Sequence, residues 1–194
     1  MTAKQFKKAW VEHDDNLSPI SAQRLGKLGL SKHTFEFLEK AGLPEDAAPF
    51  LSFCVDSDDI YYGISKLNEQ YDLPETDFEK YVVIGSCSNG DPIAIDTEND
   101  EVKWLDHEDY FSSGFFNSSI YCLAECLIAY RNFVLTIIKD NGEDAFLNAD
   151  FSDNHFAQLK EDLIRADERI LTEKGFWHAQ LEMDLAMRQD NKKN

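Results

Sequence analysis

Between residues 81 and 105 three apolar runs are separated by gaps too short for any helix. The runs are Tyr81-Val82-Val83-Ile84-Gly85, Pro92-Ile93-Ala94-Ile95-Asp96 and Glu101-Val102-Lys103-Trp104-Leu105. A parallel pair of strands needs a crossover of a dozen or more residues, so these three must pair as an antiparallel meander. Ser88-Asn89-Gly90-Asp91 supplies the first turn, since Asn and Gly accept the positive φ of a tight hairpin. Glu98-Asn99-Asp100 supplies the second. A shorter apolar run, Phe50 to Val55, reads as one more strand upstream.

The pattern on either side has a helical period. Phe6, Ala9, Trp10 and His13 recur at helical spacing. Ser21 is placed to cap a short helix through Leu28, with Gly29 behind it, and Ser31 to cap another with Phe35, Leu38 and Ala41 facing inward. Residues 56–78 are acidic and turn-rich, with Ile60, Tyr61, Tyr62, Ile64 and Leu67 as candidate anchors. Downstream, Asn117, Ser118 or Ser119 opens a helix whose apolar positions run from Ile120 to Ile138. Cys122, Ala124, Cys126, Ile128 and Phe133 make nearly every face of it apolar, which predicts a central helix packed on the sheet. Two more helices are predicted, from Asp153 to about Leu171 and from Gly175 to about Arg188. The fold expected is α+β: an antiparallel meander of about four to six strands on a central helix, with helical N- and C-terminal regions. Residues 1–190 are expected to form one domain and 191–194 a polar, frayed tail.

Fourteen Phe and three Trp in 194 residues supply enough apolar surface to offset the ordering entropy of folding. No apolar run near Met1 has the length of a secretory signal or a membrane span. Four scattered cysteines (Cys54, Cys87, Cys122, Cys126) do not resemble a disulfide framework, so a reduced, cytoplasmic protein is expected.

The net charge of -18 is unevenly placed. Residues 1–40 hold seven Lys/Arg against five Asp/Glu, residues 41–110 three against eighteen, and residues 111–194 nine against fourteen. Such a field repels nucleic acid and anionic membrane and speeds encounter with a basic partner. Solubility alone accounts for high charge; its concentration in one segment tilts the reading towards a basic partner.

The chemistry-bearing patterns have plain explanations. Cys122 and Cys126 share a helix face but lack the spacing of a zinc knuckle, and free cysteine commonly fills cores. The five histidines stand apart, and no nucleophile elbow, P-loop or H-E-x-x-H is present. Gly85 to Gly90 joins two strands, so no helix N-terminus would meet a phosphate there. Asp56, Asp58 and Asp59 alternate as in the first half of a calcium loop, yet the later Gly and Glu are absent. No catalytic residue, metal or cofactor is expected.

Taken together, the Ile84-Gly85 strand end, the Gly90-Asp91 turn, the strand closing on Asp96, the Val102 strand and the helix opened by Asn117-Ser118-Ser119 resemble the SUKH superfamily. That superfamily includes bacterial immunity proteins and fungal regulators of the Smi/Knr type. Ala41-Gly42-Leu43-Pro44 and the closing Phe176-Trp177 resemble its branch with a Gly-Leu-Pro element. The resemblance spans roughly residues 17–188. It departs from the family at Glu101, where the family has Gly; Asn99 or Asp100 can supply the turn instead. The resemblance implies an antitoxin that binds a cognate toxin domain, often a nuclease or deaminase, and carries no catalytic residues. The residues expected to meet toxin Lys or Arg are Asp56, Asp58, Asp59, Glu98, Asp100 and Glu101. A regulatory scaffold docking a host protein is the second reading, and an enzyme acting on a small cationic substrate the third.

Overall fold

The computed structural model describes residues 1–13, 16–73, 76–171 and 175–191. Residues 74–75 of the acidic stretch and residues 192–194 of the expected tail lie outside the described residues.

Among the described residues, seven helices and nine strands follow in the order α1 (Ala3–Val11), β1 (Leu17–Ser18), α2 (Ala22–Leu25), α3 (Lys32–Lys40), β2 (Leu43–Pro44), β3 (Asp46–Ala47), β4 (Leu51–Phe53), β5 (Ser65–Lys66), α4 (Leu67–Gln70), a 3-10 turn (Thr76–Phe78), β6 (Tyr81–Ser86), β7 (Pro92–Asp96), β8 (Glu101–Asp106), β9 (Ser112–Asn117), α5 (Ile120–Asn141), α6 (Asp153–Ala166) and α7 (Phe176–Asn191). Strands β3-β4-β6-β7-β8-β9 lie side by side, every pair antiparallel, and β5 pairs with β6 beyond the end of β4. The meander is as expected, with seven strands in place of four to six. Ser112–Asn117 is a strand that the apolar pattern does not announce, because Ser112, Ser113 and Gly114 lack the large or β-branched side chains of a strand.

Alternation along β6 divides the apolar side chains between two faces. Val82 and Ile84 point into the main core with Ile93, Ile95, Val102 and Phe116, and Leu123, Leu127 and Tyr130 of α5 cover them. Tyr81 and Val83 point the other way, into a smaller cluster with Leu67, Ala94 and Leu105, against which Phe78 and Phe111 pack. The central strands are therefore covered on both faces, which is why β7 is buried at every residue. Helix α5 is long and apolar enough to cross a membrane by length and composition. Nine of its residues are buried here, so it is the core helix that the all-round apolar pattern predicts.

The helix ends follow their caps. Ser119 Oγ accepts from the Cys122 amide and Ser31 Oγ from the Thr34 amide, each worth about 1 kcal/mol. Ser21 stands at the start of α2 but makes no cap; its hydroxyl donates to Asp56 instead. Helix α6 stops at Ala166, short of Leu171, because the backbone of Asp167 turns extended. The buried Asp167 carboxylate accepts from the Ser118 amide and hydroxyl and from Asn117 Nδ2, while Asn117 Oδ1 accepts from the Trp177 indole. One buried carboxylate thus joins the start of α5 to the ends of β9 and α6. The closing aromatic pair completes the joint, with Phe176 stacked on Phe116 at 4.3 Å.

Candidate functional site

The six carboxylates marked as partner contacts fall into two groups at different places on the sheet. Glu98, Asp100 and Glu101 belong to the β7–β8 turn. Asp56, Asp58 and Asp59 belong to the loop between β4 and β5. Both groups reach the N-terminal helices, by opposite means.

In the β7–β8 turn two of the three charges, Asp100 and Glu101, are directed into the protein. Asp100 takes a left-handed backbone (φ 66°), so it supplies the turn that Glu101 leaves without its Gly. Its carboxylate accepts from Ser31 Oγ and Thr34 Oγ1, both at 2.8 Å, and so docks the first turn of α3. Glu101 is paired with Lys103 at 2.5 Å and with Arg169 at 2.6 Å, and these two cations hold its carboxyl below the ordinary range despite partial burial. Glu98 stays exposed and shares Lys80 with the buried Asp96.

The β4–β5 loop is built to hold its shape while facing outward. Arg24 of α2 clamps Asp56 at 2.9 Å and Asp58 at 2.8 Å, yet the Asp58 side chain remains fully exposed. Asp59 Oδ1 accepts from the Tyr61 amide, and the Asp59 carbonyl accepts from the Tyr62 and Gly63 amides. The Val55 amide donates to the Tyr62 carbonyl and closes the loop at its base. Gly63 is required there, because a Cβ would stand 2.3 Å from the Ser57 carbonyl oxygen. Ile64 and Leu67 anchor the segment as expected, but Ile60, Tyr61 and Tyr62 do not. Tyr61 is 72% exposed and Tyr62 68%. Consecutive residues in this tight turn cannot both reach the core, and the backbone bonds to Asp59 fix them outward.

A third feature was not legible as a site. Asp91 in the β6–β7 turn is buried, and burial alone would raise its pKa. The His107 amide and ring, Asn89 Nδ2 and the Trp104 indole, at 2.6–3.0 Å, instead hold it below the ordinary value. Asp91 in turn raises the pKa of His107. This pairing fixes the start of the β8–β9 loop, in which Tyr110 and Phe111 are both left-handed (φ 49° and 55°) and Tyr110 is 91% exposed. The Asn89-Gly90-Asp91 signature predicts the hairpin; that its Asp reaches across to Trp104 and His107 depends on strand register.

Burial pushes the thiols of Cys54 and Cys87 up to about 12 and that of Cys126 well up, so they are protonated and act as packing groups. Among the described residues no cluster of three or more His, Cys, Asp or Glu could hold a metal ion. A groove of about 600 Å³ lies between the β6–β7 turn, Trp104 and the start of α7, lined by Phe176, His178, Gln180 and Met183. None of the six carboxylates lines it.

Comparison with known proteins gives one family. The family model described as SUKH-4 immunity protein matches residues 2–183. No curated protein and no solved structure matches the chain.

Proposed function

The chain belongs to the SUKH-4 immunity protein family, and from that premise we propose that it neutralises a basic, nucleic-acid-targeting toxin domain by occupying its active surface, without catalysis of its own. The observation that carries this reading is the family match over nearly the whole chain. Eighteen carboxylates against three cations in residues 41–110 supply the charge complement of a toxin surface made to grip phosphate. The contact residues in this reading are the carboxylates Asp56, Asp58, Asp59, Glu98, Asp100 and Glu101. Asp58, Asp59 and Glu98 point to solvent and meet toxin Lys or Arg directly. Asp56, Asp100 and Glu101 are shared with Arg24, α3 and Arg169 and fix the surface that the others present. The reading places the protein in the cytoplasm as a single domain over residues 1–190.

The test is capture by the tagged full chain from native cells at low salt, with elution in salt steps. A basic protein recovered near one-to-one, toxic alone and silenced by co-expression, is the expected result. A housekeeping partner in its place, with no protection against any toxin, overturns the reading in favour of a regulatory scaffold.

A further inference from the structure

The face of the sheet opposite α5 carries a feature that the carboxylates alone do not explain. Tyr61, Tyr62 and Tyr71 wall a cleft of about 190 Å³ floored by Cys54, Val83 and Gly85. Small-molecule sites run to roughly 300–1,000 Å³, so this cleft has room for one side chain and not for a metabolite. Tyr71 packs edge-on against Phe111 at 4.8 Å between ring centres, which brings the cleft against the loop that displays Tyr110. Gln70 lines the same cleft.

We propose that the tyrosine-walled cleft is the anchor point of the interface and receives an arginine side chain from a loop of the toxin. This rests on the immunity reading and deepens it. The segments that flank the cleft, residues 56–62 and 107–111, carry Asp56, Asp58, Asp59, Glu108 and Asp109, against Arg24 paired to the first rim and His107, paired with Asp91, at the second. A second copy of a chain with charge -18 would bring like charges together, whereas a cationic side chain is attracted from both rims. Guanidinium is the cation that suits the walls, since it stacks on aromatic rings and is weakly hydrated, while its fork of N–H groups can meet a rim carboxylate. Exposed tyrosines on a loop already fixed by the Asp59, Tyr62 and Arg24 bonds lose little further freedom on binding, which is how aromatic anchors come to dominate interfaces. The left-handed Tyr110 and Phe111 fit the same reading, because bulky residues hold that conformation where a site requires it.

The experiment titrates the isotopically labelled full chain with acetyl-Gly-Arg-Gly-amide and acetyl-Gly-Lys-Gly-amide at low salt, following backbone amide shifts. Shifts confined to residues 54–62, 70–71 and 107–111, with arginine bound about threefold or more tighter than lysine, are expected. Tyr61→Ala/Tyr62→Ala should weaken the arginine peptide about tenfold, and Tyr110→Ser, in the other loop, should weaken it less. Equal shifts with both peptides, or shifts spread over all acidic surfaces, overturn the proposal. So does tyrosine-dependent dimerisation of the chain in sedimentation. If a captured toxin binds the double tyrosine variant undiminished, the anchor is misplaced while the immunity reading stands. If the peptide result holds while capture returns a housekeeping partner and the chain protects against no toxin, the arginine cleft stands and the immunity reading falls.

Discussion

The β7–β8 turn and the β4–β5 loop are equally acidic and serve opposite ends. In the turn, Asp100 and Glu101 are bonded to Ser31, Thr34, Lys103 and Arg169, so their charge holds α3 and the segment after α6 against the sheet. In the loop, one arginine and a set of backbone bonds fix the chain, and Asp58, Tyr61 and Tyr62 are left to solvent. The difference shows that carboxylate count is a poor guide to an interface. What matters is whether each carboxylate stays exposed once its partners within the fold are met.

Asp100→Ala is the substitution with the largest expected effect on stability. It removes two hydrogen bonds to a charged acceptor and the residue that tolerates the left-handed turn, so unfolding stability should fall by about 2 kcal/mol in urea titration. Asp56→Ala in the loop should cost less, about 0.5 kcal/mol, because its pair with Arg24 is open to solvent. If the two losses came out equal, the division between an inward and an outward region would fail.

The second loop of the outward region has a pH signature. His107 has its pKa raised above the ordinary 6.5 by Asp91, so its contribution to stability is whole below pH 6.5 and is lost as pH rises through the raised value. Asp91 is lowered below 3.8, so its contribution is whole above that pH and is lost as pH falls through the lowered value. Thermal unfolding should therefore show the pair at full strength between about pH 4 and 6.5, with a decline on the alkaline side that His107→Ala removes. An unchanged alkaline slope in that variant would mean that the pair does not fasten the loop.

The smallest stability effect is expected at the outward carboxylates of the β4–β5 loop. Asp58→Asn/Asp59→Asn should leave the urea-unfolding midpoint unchanged. The same variant should flatten the salt dependence of partner binding. Unchanged salt dependence would remove these residues from the contact surface.

Much of the fold is legible in the residue pattern. The meander follows from Asn89-Gly90 and the short second turn, and the central helix from its apolar run opened at Ser119. Strand β9 escapes because its first half is Ser-Ser-Gly, and the true end of α6 because Asp167 leaves the helix to serve a residue 49 positions away. For the candidate site, the positions of the acidic residues are plain in the sequence, but their partners are not.

By itself, then, the sequence determined the local terms: the period of each segment, the turn chemistry, the caps and the concentration of negative charge in residues 41–110. Each depends on neighbours within a few positions, so a linear reading reaches them. The tertiary structure alone decided which charges remain outward. Arg24 meets Asp58 across 34 positions and Ser31 meets Asp100 across 69, and Tyr71 meets Phe111 only because α4 folds over the face of the sheet away from α5. Hydrogen bonds and ring contacts act over a few ångströms of space whatever the separation along the chain, and the side chains left facing water become known only once the chain is folded.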